Sequence, residues 1–240
     1  QVGNTSVAPY QTQGALAPSL YDWNNVDARG FRLDQIPNPD LSWEVSESFD
    51  AGIDFGFFNG KLSGYVDYYQ TSTGTSLILN RALPPTSGYN SIVQNIGGTE
   101  THGFEVTLNG TIMDTPGGFK WTAEFNLGSL KEKIVDLALK GPNGEPIDDI
   151  GNGWFIGQPI RVFFDYEKVG IWQADEKDAA TAMMGAYPGE IKLKDQDGDG
   201  KITPSDRKVI GNDVPKAYGG VSTSLSYKGI DFSMFFYYRT

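Results

Sequence analysis

Residues Val45 to Tyr69 read VSESFDAGIDFGFFNGKLSGYVDYY, and this stretch decides the fold. Its odd positions carry Val45, Phe49, Ala51, Ile53, Phe55 and Phe57, while Ser46, Ser48, Asp50, Gly52, Asp54 and Gly56 fill the even ones. A period of two marks a strand with one apolar and one polar face, because successive side chains of an extended chain point to opposite sides. Asn59-Gly60 follows, a dipeptide that accepts the positive φ angles of a tight hairpin turn. A two-residue turn there sets Phe57 opposite Leu62, Phe55 opposite Gly64, Ile53 opposite Val66 and Ala51 opposite Tyr68. On the other face it sets Gly56 opposite Ser63, Asp54 opposite Tyr65, Gly52 opposite Asp67 and Asp50 opposite Tyr69. Each face keeps its character through the turn. Glu47, the charge on the apolar face, lies at the strand end farthest from the turn, where a rim position leaves it in water.

The same construction recurs twice. Phe104, Val106, Leu108, Gly110 and Ile112 alternate with polar residues, a short Met113–Gly118 connection follows, and Phe119, Trp121, Ala123, Phe125 and Leu127 continue the apolar face. Gly219, Val221, Thr223, Leu225 and Tyr227 then turn at Lys228-Gly229 into Ile230, Phe232, Met234, Phe236 and Tyr238. Six strands are predicted. The links between hairpins are long, roughly 28 residues from Thr73 to Thr101 and roughly 85 from Lys131 to Pro215, where hairpin loops usually take 2–5. Short turns at one end and long loops at the other are the pattern of an outer-membrane β-barrel, with the long loops extracellular. The apolar run from Phe49 to Phe57 covers about 27 Å, or about 20 Å of height at a tilt of about 40°, near the ~25 Å apolar band of such barrels. Bilayers forbid open sheet edges and closed barrels need about eight strands, so six predict a segment of a larger barrel. The expected fold is all-β, an antiparallel transmembrane β-barrel segment. Residues 1–44 are expected as an extracellular loop or linker region, and 45–240 as barrel strands with extracellular loops at about 74–101 and 131–215.

Composition narrows the alternatives. The 240 residues carry a net charge of −11, which removes the basic surface that nucleic acid requires. No run approaches the roughly 18 apolar residues of a membrane helix, and the absence of cysteine excludes thiol nucleophiles, disulfides and thiolate metal sites. His102 is the sole histidine, so no His-rich metal site forms within the chain, and a place at the strand rim is expected for it. No phosphate loop, nucleophile elbow or dinucleotide fingerprint is present, and no catalytic residues are predicted.

The run Asn38 to Glu44 (NPDLSWE), then Phe49 to Gly60 and Leu62 to Tyr69, closely resembles late barrel strands of SusC/RagA-type TonB-dependent outer-membrane transporters. The likeness continues through Asn95 to Gly98, Gly103 to Glu105, Gly157 to Ile160, Gly170 to Gln173, Pro188-Gly189, Asp195 to Gly200, Asp206-Arg207 and Ile210-Gly211. The resemblance implies a 22-stranded barrel with an N-terminal plug, embedded in outer-membrane lipid. It implies a SusD-like surface lipoprotein as partner, energy from TonB, and import of oligosaccharides or, in some members, peptides. The plug, the TonB box and most strands lie outside this sequence.

One motif carries chemistry of its own. Asp195, Asp197, Asp199, Gly200, Lys201, Thr203 and Asp206 match the EF-hand loop at positions 1, 3, 5, 6, 7, 9 and 12. Ca²⁺ is the expected cofactor, held by the carboxylates of Asp195, Asp197, Asp199 and Asp206, the Lys201 carbonyl and Thr203. Asp in place of Glu at the last position shortens the bidentate arm, and a solvated acidic turn is the competing state. Pro204 and the strand-like Glu190–Lys194 argue against paired flanking helices. Trp154, Phe155 and Trp172 are candidate substrate-binding residues, since aromatics in an extracellular loop can stack on sugar rings; Tyr187 shares that loop. A loop of this length also needs its own small core, which would bury them. The carboxylates Asp50, Asp54, Asp67, Glu105 and Glu124 are expected as lining of a water-filled interior, and Asp148-Asp149 as loop residues. The alternative architecture is a soluble calcium-stabilised β-domain that binds carbohydrate, its apolar faces meeting in a sandwich.

Overall fold

The computed structural model describes residues 2–3, 7, 12–74 and 77–240. Its strands in chain order are β1 (Val2–Gly3), β2 (Ala15–Trp23), β3 (Val26–Gln35), β4 (Glu44–Val45), β5 (Glu47–Phe57), β6 (Leu62–Ser72), β7 (Ile78–Ala82) and β8 (Ser91–Asn95). There follow β9 (Gly98–Asp114), β10 (Lys120–Asp136), β11 (Val162–Tyr166), β12 (Lys168–Ile171), β13 (Ile191–Leu193), β14 (Arg207–Asn212), β15 (Tyr218–Tyr227) and β16 (Ile230–Arg239). The chain divides into two compact units, residues Arg161–Asp213 and the remainder.

In the larger unit, six strands form one antiparallel sheet in the order β16-β15-β10-β9-β6-β5. These are the six strands predicted from the alternation, and the register of the first hairpin is the predicted one, Phe57 opposite Leu62 through Ala51 opposite Tyr68. Parity carries across the whole sheet. One row reads Phe55, Gly64, Leu108, Phe125, Val221, Phe236, and the alternate row Asp54, Tyr65, Thr107, Asn126, Gly220, Tyr237. The apolar rows are not sealed against a second sheet: Ile53 is 71% exposed, Phe57 54% and Phe236 56%. A sandwich would interlock these side chains in a dry centre, and among the described residues no second sheet covers them. A sheet with bare apolar rows on one side and polar rows on the other is the wall of a barrel.

Several details depart from the sequence reading. The first turn is a four-residue loop, 58–61, in which Phe58, Asn59 and Gly60 all take positive φ, with Gly60 N–H donating to Phe57 O and Lys61 N–H to Phe58 O. Register survives because Phe57 still pairs Leu62. β9 and β10 reach well past the predicted limits, to Gly98 and Asp136. A bulge between Trp121 and Thr122 sets Trp121 opposite Met113 and Thr122 opposite Thr111. Ile112 is the extra residue, and it leaves the apolar file where it was expected. The Trp121 indole N–H donates to Thr223 Oγ1 at 2.8 Å, satisfying its polar edge on the apolar face.

Residues 1–44, expected as loop or linker, hold the antiparallel hairpin β2–β3, turned at Asn24-Asn25 with both residues at positive φ, and β1 paired with β4. Within that region residues 1, 4–6 and 8–11 lie outside the described residues. Asn24-Asn25 is a turn signal of the Asn-Gly kind, since Asn tolerates the left-handed region. The 74–101 connection likewise contains a hairpin, β7–β8, with residues 75–76 outside the described residues.

The smaller unit pairs β11 with β14 and β12 with β13. Between β12 and β13 runs α1 (Lys177–Met184), entered through a 3₁₀ turn boxed by Gln173 and Glu176 and ended by Gly185 at φ 67°. Trp172, Ala180 and Ala186, with Met183 against them, form its core. Lys192 lies 4.5 Å over the Trp172 ring and pairs with Glu176.

Candidate functional site

The acidic loop spans the end of β13 to the start of β14, so strands flank it rather than helices. Asp195 folds the first half on itself, its Oδ1 accepting from Gly198 N–H at 2.6 Å and its Oδ2 from Gly200 N–H at 2.8 Å. Asp197 accepts from Asp199 N–H at 3.1 Å and Asp199 from Lys201 N–H at 2.8 Å. Gly198 and Gly200, at φ 77° and 82°, permit the sharp winding that these bonds require. The outcome is convergence: Asp195, Asp197 and Asp199 each offer a carboxylate oxygen, and these lie within 4.8 Å of one another. Three hard oxygen donors on one concavity suit Ca²⁺ better than a softer metal.

Asp206 stands apart from that trio. It is fully buried, with Oδ1 accepting from Gln196 N–H and Oδ2 from Thr203 N–H, each at 2.7 Å. The amides of Thr203 and Gln196 hold its carboxyl below the usual range against the opposing effect of desolvation. Thr203 faces the short helical turn at Pro204–Asp206, its hydroxyl accepting from Ser205 N–H. The two residues expected as the ninth- and twelfth-position ligands thus accept hydrogen bonds from the loop's own backbone amides. Ile202 N–H donates to Met183 O and ties the loop to α1.

Glu167 is the residue sequence reasoning missed. Its Oε2 accepts from Lys208 Nζ at 2.7 Å and Gln196 Nε2 at 2.9 Å, with Lys194 Nζ at 3.4 Å. Lys194 and Gln196 open the acidic loop and Lys208 follows it, so one carboxylate clasps both ends. The bonds from Lys208, then Gln196 and Lys194, hold its carboxyl down to about 2. Nothing in the sequence pairs a residue between β11 and β12 with a loop some thirty positions on.

The aromatic candidates separate. Trp172 is 2% exposed and Phe155 9% exposed, so neither presents a ring face to a substrate, contrary to the expectation of stacking. The cause is the competing demand for a core in a long ordered connection. Trp154 is half-buried, exchanging backbone hydrogen bonds with Asp149, while Tyr187 is 64% exposed. Asp148 accepts from Ile156 N–H, and Asp149 caps Asn152 and meets Arg81 Nε at 2.8 Å; these are structural uses of both carboxylates.

On the sheet's polar side, side chains lean across strands onto bare glycine backbone. A Cβ on Gly103 would sit 2.7 Å from Tyr69 Cζ, one on Gly128 2.5 Å from Tyr218 Cζ, and one on Gly52 1.8 Å from Asp67 Oδ1. A shallow hollow beside them is lined by Tyr65, Glu105, Thr107, Asn126 and Tyr218.

The profile of the family described as TonB dependent receptor-like, beta-barrel matches residues 8–228, and the chain belongs to that family. TonB-dependent receptor P26 of Formosa agariphila is 33% identical over 98% of this chain and 24% of its own length. TonB-dependent receptor SusC of Bacteroides thetaiotaomicron is 27% identical over 82% of this chain and 19% of its own. The solved structure of the RagAB peptide transporter superposes with a TM-score of 0.75 at 27% identity, over 99% of this chain and 25% of that one. The chain spans about a quarter of the length of the first of these relatives. These relatives are named as receptors and transporters. Membership identifies the sheet as part of a larger outer-membrane barrel.

Proposed function

We propose that the chain forms wall and loops of a TonB-energised outer-membrane importer of oligosaccharides or peptides, working under a SusD-like surface lipoprotein with the long connections extracellular. The observation that carries this is the parity of the sheet across its six strands, apolar rows bare on one side and polar rows on the other, in a chain whose relatives are receptors and transporters. Polar rows with tyrosines and carboxylates suit a hydrated cargo. Uptake by cells lacking the full-length protein tests the reading: import of a fluorescent oligosaccharide or a labelled peptide should fail and return on complementation. Unchanged uptake of both cargo classes would remove the importer role.

We further propose that Asp195, Asp197, Asp199 and the Lys201 carbonyl hold Ca²⁺, with Thr203, Asp206 and Glu167 keeping the loop closed. Support comes from the converging carboxylates and the two left-handed glycines. Titration should raise the melting temperature, and no shift at millimolar Ca²⁺ would retire the site.

A further inference from the structure

At the end from which the long connections leave, the apolar face of the sheet keeps Phe49 on β5 and gives way on β6, β9 and β10 to nitrogen donors in the same cross-strand row. Cross-strand pairing sets Gln70 of β6 beside His102 of β9, and His102 beside Lys131 of β10. Neighbouring strands lie about 5 Å apart, so the row spans roughly 10 Å. One row below on the same face stand Tyr68 and Phe104, paired with each other and both more than two-fifths exposed. The Tyr68 hydroxyl points toward Gln70 Oε1 at 3.5 Å. Within about 7 Å of strand the surface therefore passes from ring, to hydroxyl, to ammonium and imidazole. One row further out stand Glu47, Ser72, Glu100 and Lys133, where Glu100 pairs with Lys133 at 2.8 Å and also feels His102. Lys131 is exposed and takes part in no ion pair among the described residues.

On the barrel-wall reading proposed above, the face below this row meets lipid and the row itself lies at headgroup depth. An ammonium, an imidazole N–H and a carboxamide are all donors, a set matched to phosphate oxygens and ill matched to a zwitterion's cationic end. We propose that Gln70, His102 and Lys131 form a binding site on the outer wall of the barrel for the phosphate of an anionic membrane lipid headgroup. The site requires the barrel and is independent of the cargo. Among the described residues the opposite rim lacks this arrangement: Lys61 lies in the first turn, Lys120 pairs across strands with Asp114, and Lys228 stacks 5.1 Å over its own neighbour Tyr227.

The test uses the full-length protein purified from its own membranes, with retained phosphorylated lipid counted per barrel by native mass spectrometry. The double variant His102→Gln with Lys131→Gln should lose about tenfold of that lipid, while Lys228→Gln retains it. A second arm needs no variant. Wild-type protein is melted in vesicles containing a phosphorylated anionic lipid, in vesicles with the same lipid dephosphorylated, and in the latter with inorganic phosphate added. A higher melting temperature with the phosphorylated lipid alone supports the site. Equal retention by the double variant, equal melting in both lipids, or inorganic phosphate reproducing the shift would each overturn it.

Discussion

The six-stranded sheet and the Arg161–Asp213 unit obey opposite rules of burial. In the sheet, phenylalanines and isoleucines are among the most exposed side chains and the polar rows lie on the other side. In the smaller unit the tryptophan is the most hidden large side chain, and a lysine covers its ring. The difference teaches that one chain is built for two solvents. The smaller unit stabilises itself by removing apolar surface from water, whereas the sheet leaves that surface for lipid to cover.

Substitutions can break this comparison. The largest effect is expected for Trp172→Ala, about 3 to 5 kcal/mol for loss of a buried aromatic, read as protease cleavage confined to residues 161–213. Next is Leu108→Arg in the middle apolar row, expected to cost about 2 to 4 kcal/mol in vesicle unfolding titrations. Tyr187→Arg, an exposed aromatic of the smaller unit, should stay within about 0.5 kcal/mol; equal costs at the two sites would end the two-solvent distinction. Gly128→Ala should displace the Tyr218 ring and cost about 1 to 3 kcal/mol, measured by the same unfolding titration. The smallest effect is a pH dependence. Because the Glu167 carboxyl titrates near 2 in the fold, its contribution is complete above the ordinary glutamate range and disappears as pH falls toward 2. Amide exchange in the acidic loop should accelerate over that window in the wild type, and Glu167→Gln should flatten the dependence.

Legibility followed range. The strands of the sheet were readable because alternation is a local signal, and Asn59-Gly60 and Lys228-Gly229 were readable because turn chemistry is local too. The β2–β3 hairpin escaped, since Pro18 and the changing polarity of each face along it obscure the period of two and Asn24-Asn25 is a weaker punctuation than Asn-Gly. The Ile112 bulge escaped because nothing in the sequence distinguishes an inserted residue from a continuing strand. In the acidic loop the spacing predicted four converging carboxylates, and three of them, Asp195, Asp197 and Asp199, come together. It could not foretell that Asp206 prefers two backbone amides, nor that Glu167 closes the loop from a distance, because both depend on tertiary geometry.

The tyrosines resting on Gly103 and Gly128 bear on relief. An upright phenol would stand off the polar face by its full length, whereas one reclining on the neighbouring strand adds little more than a ring's thickness. The smoothness of that face is thus set, in two adjacent rows, by two missing methyl groups.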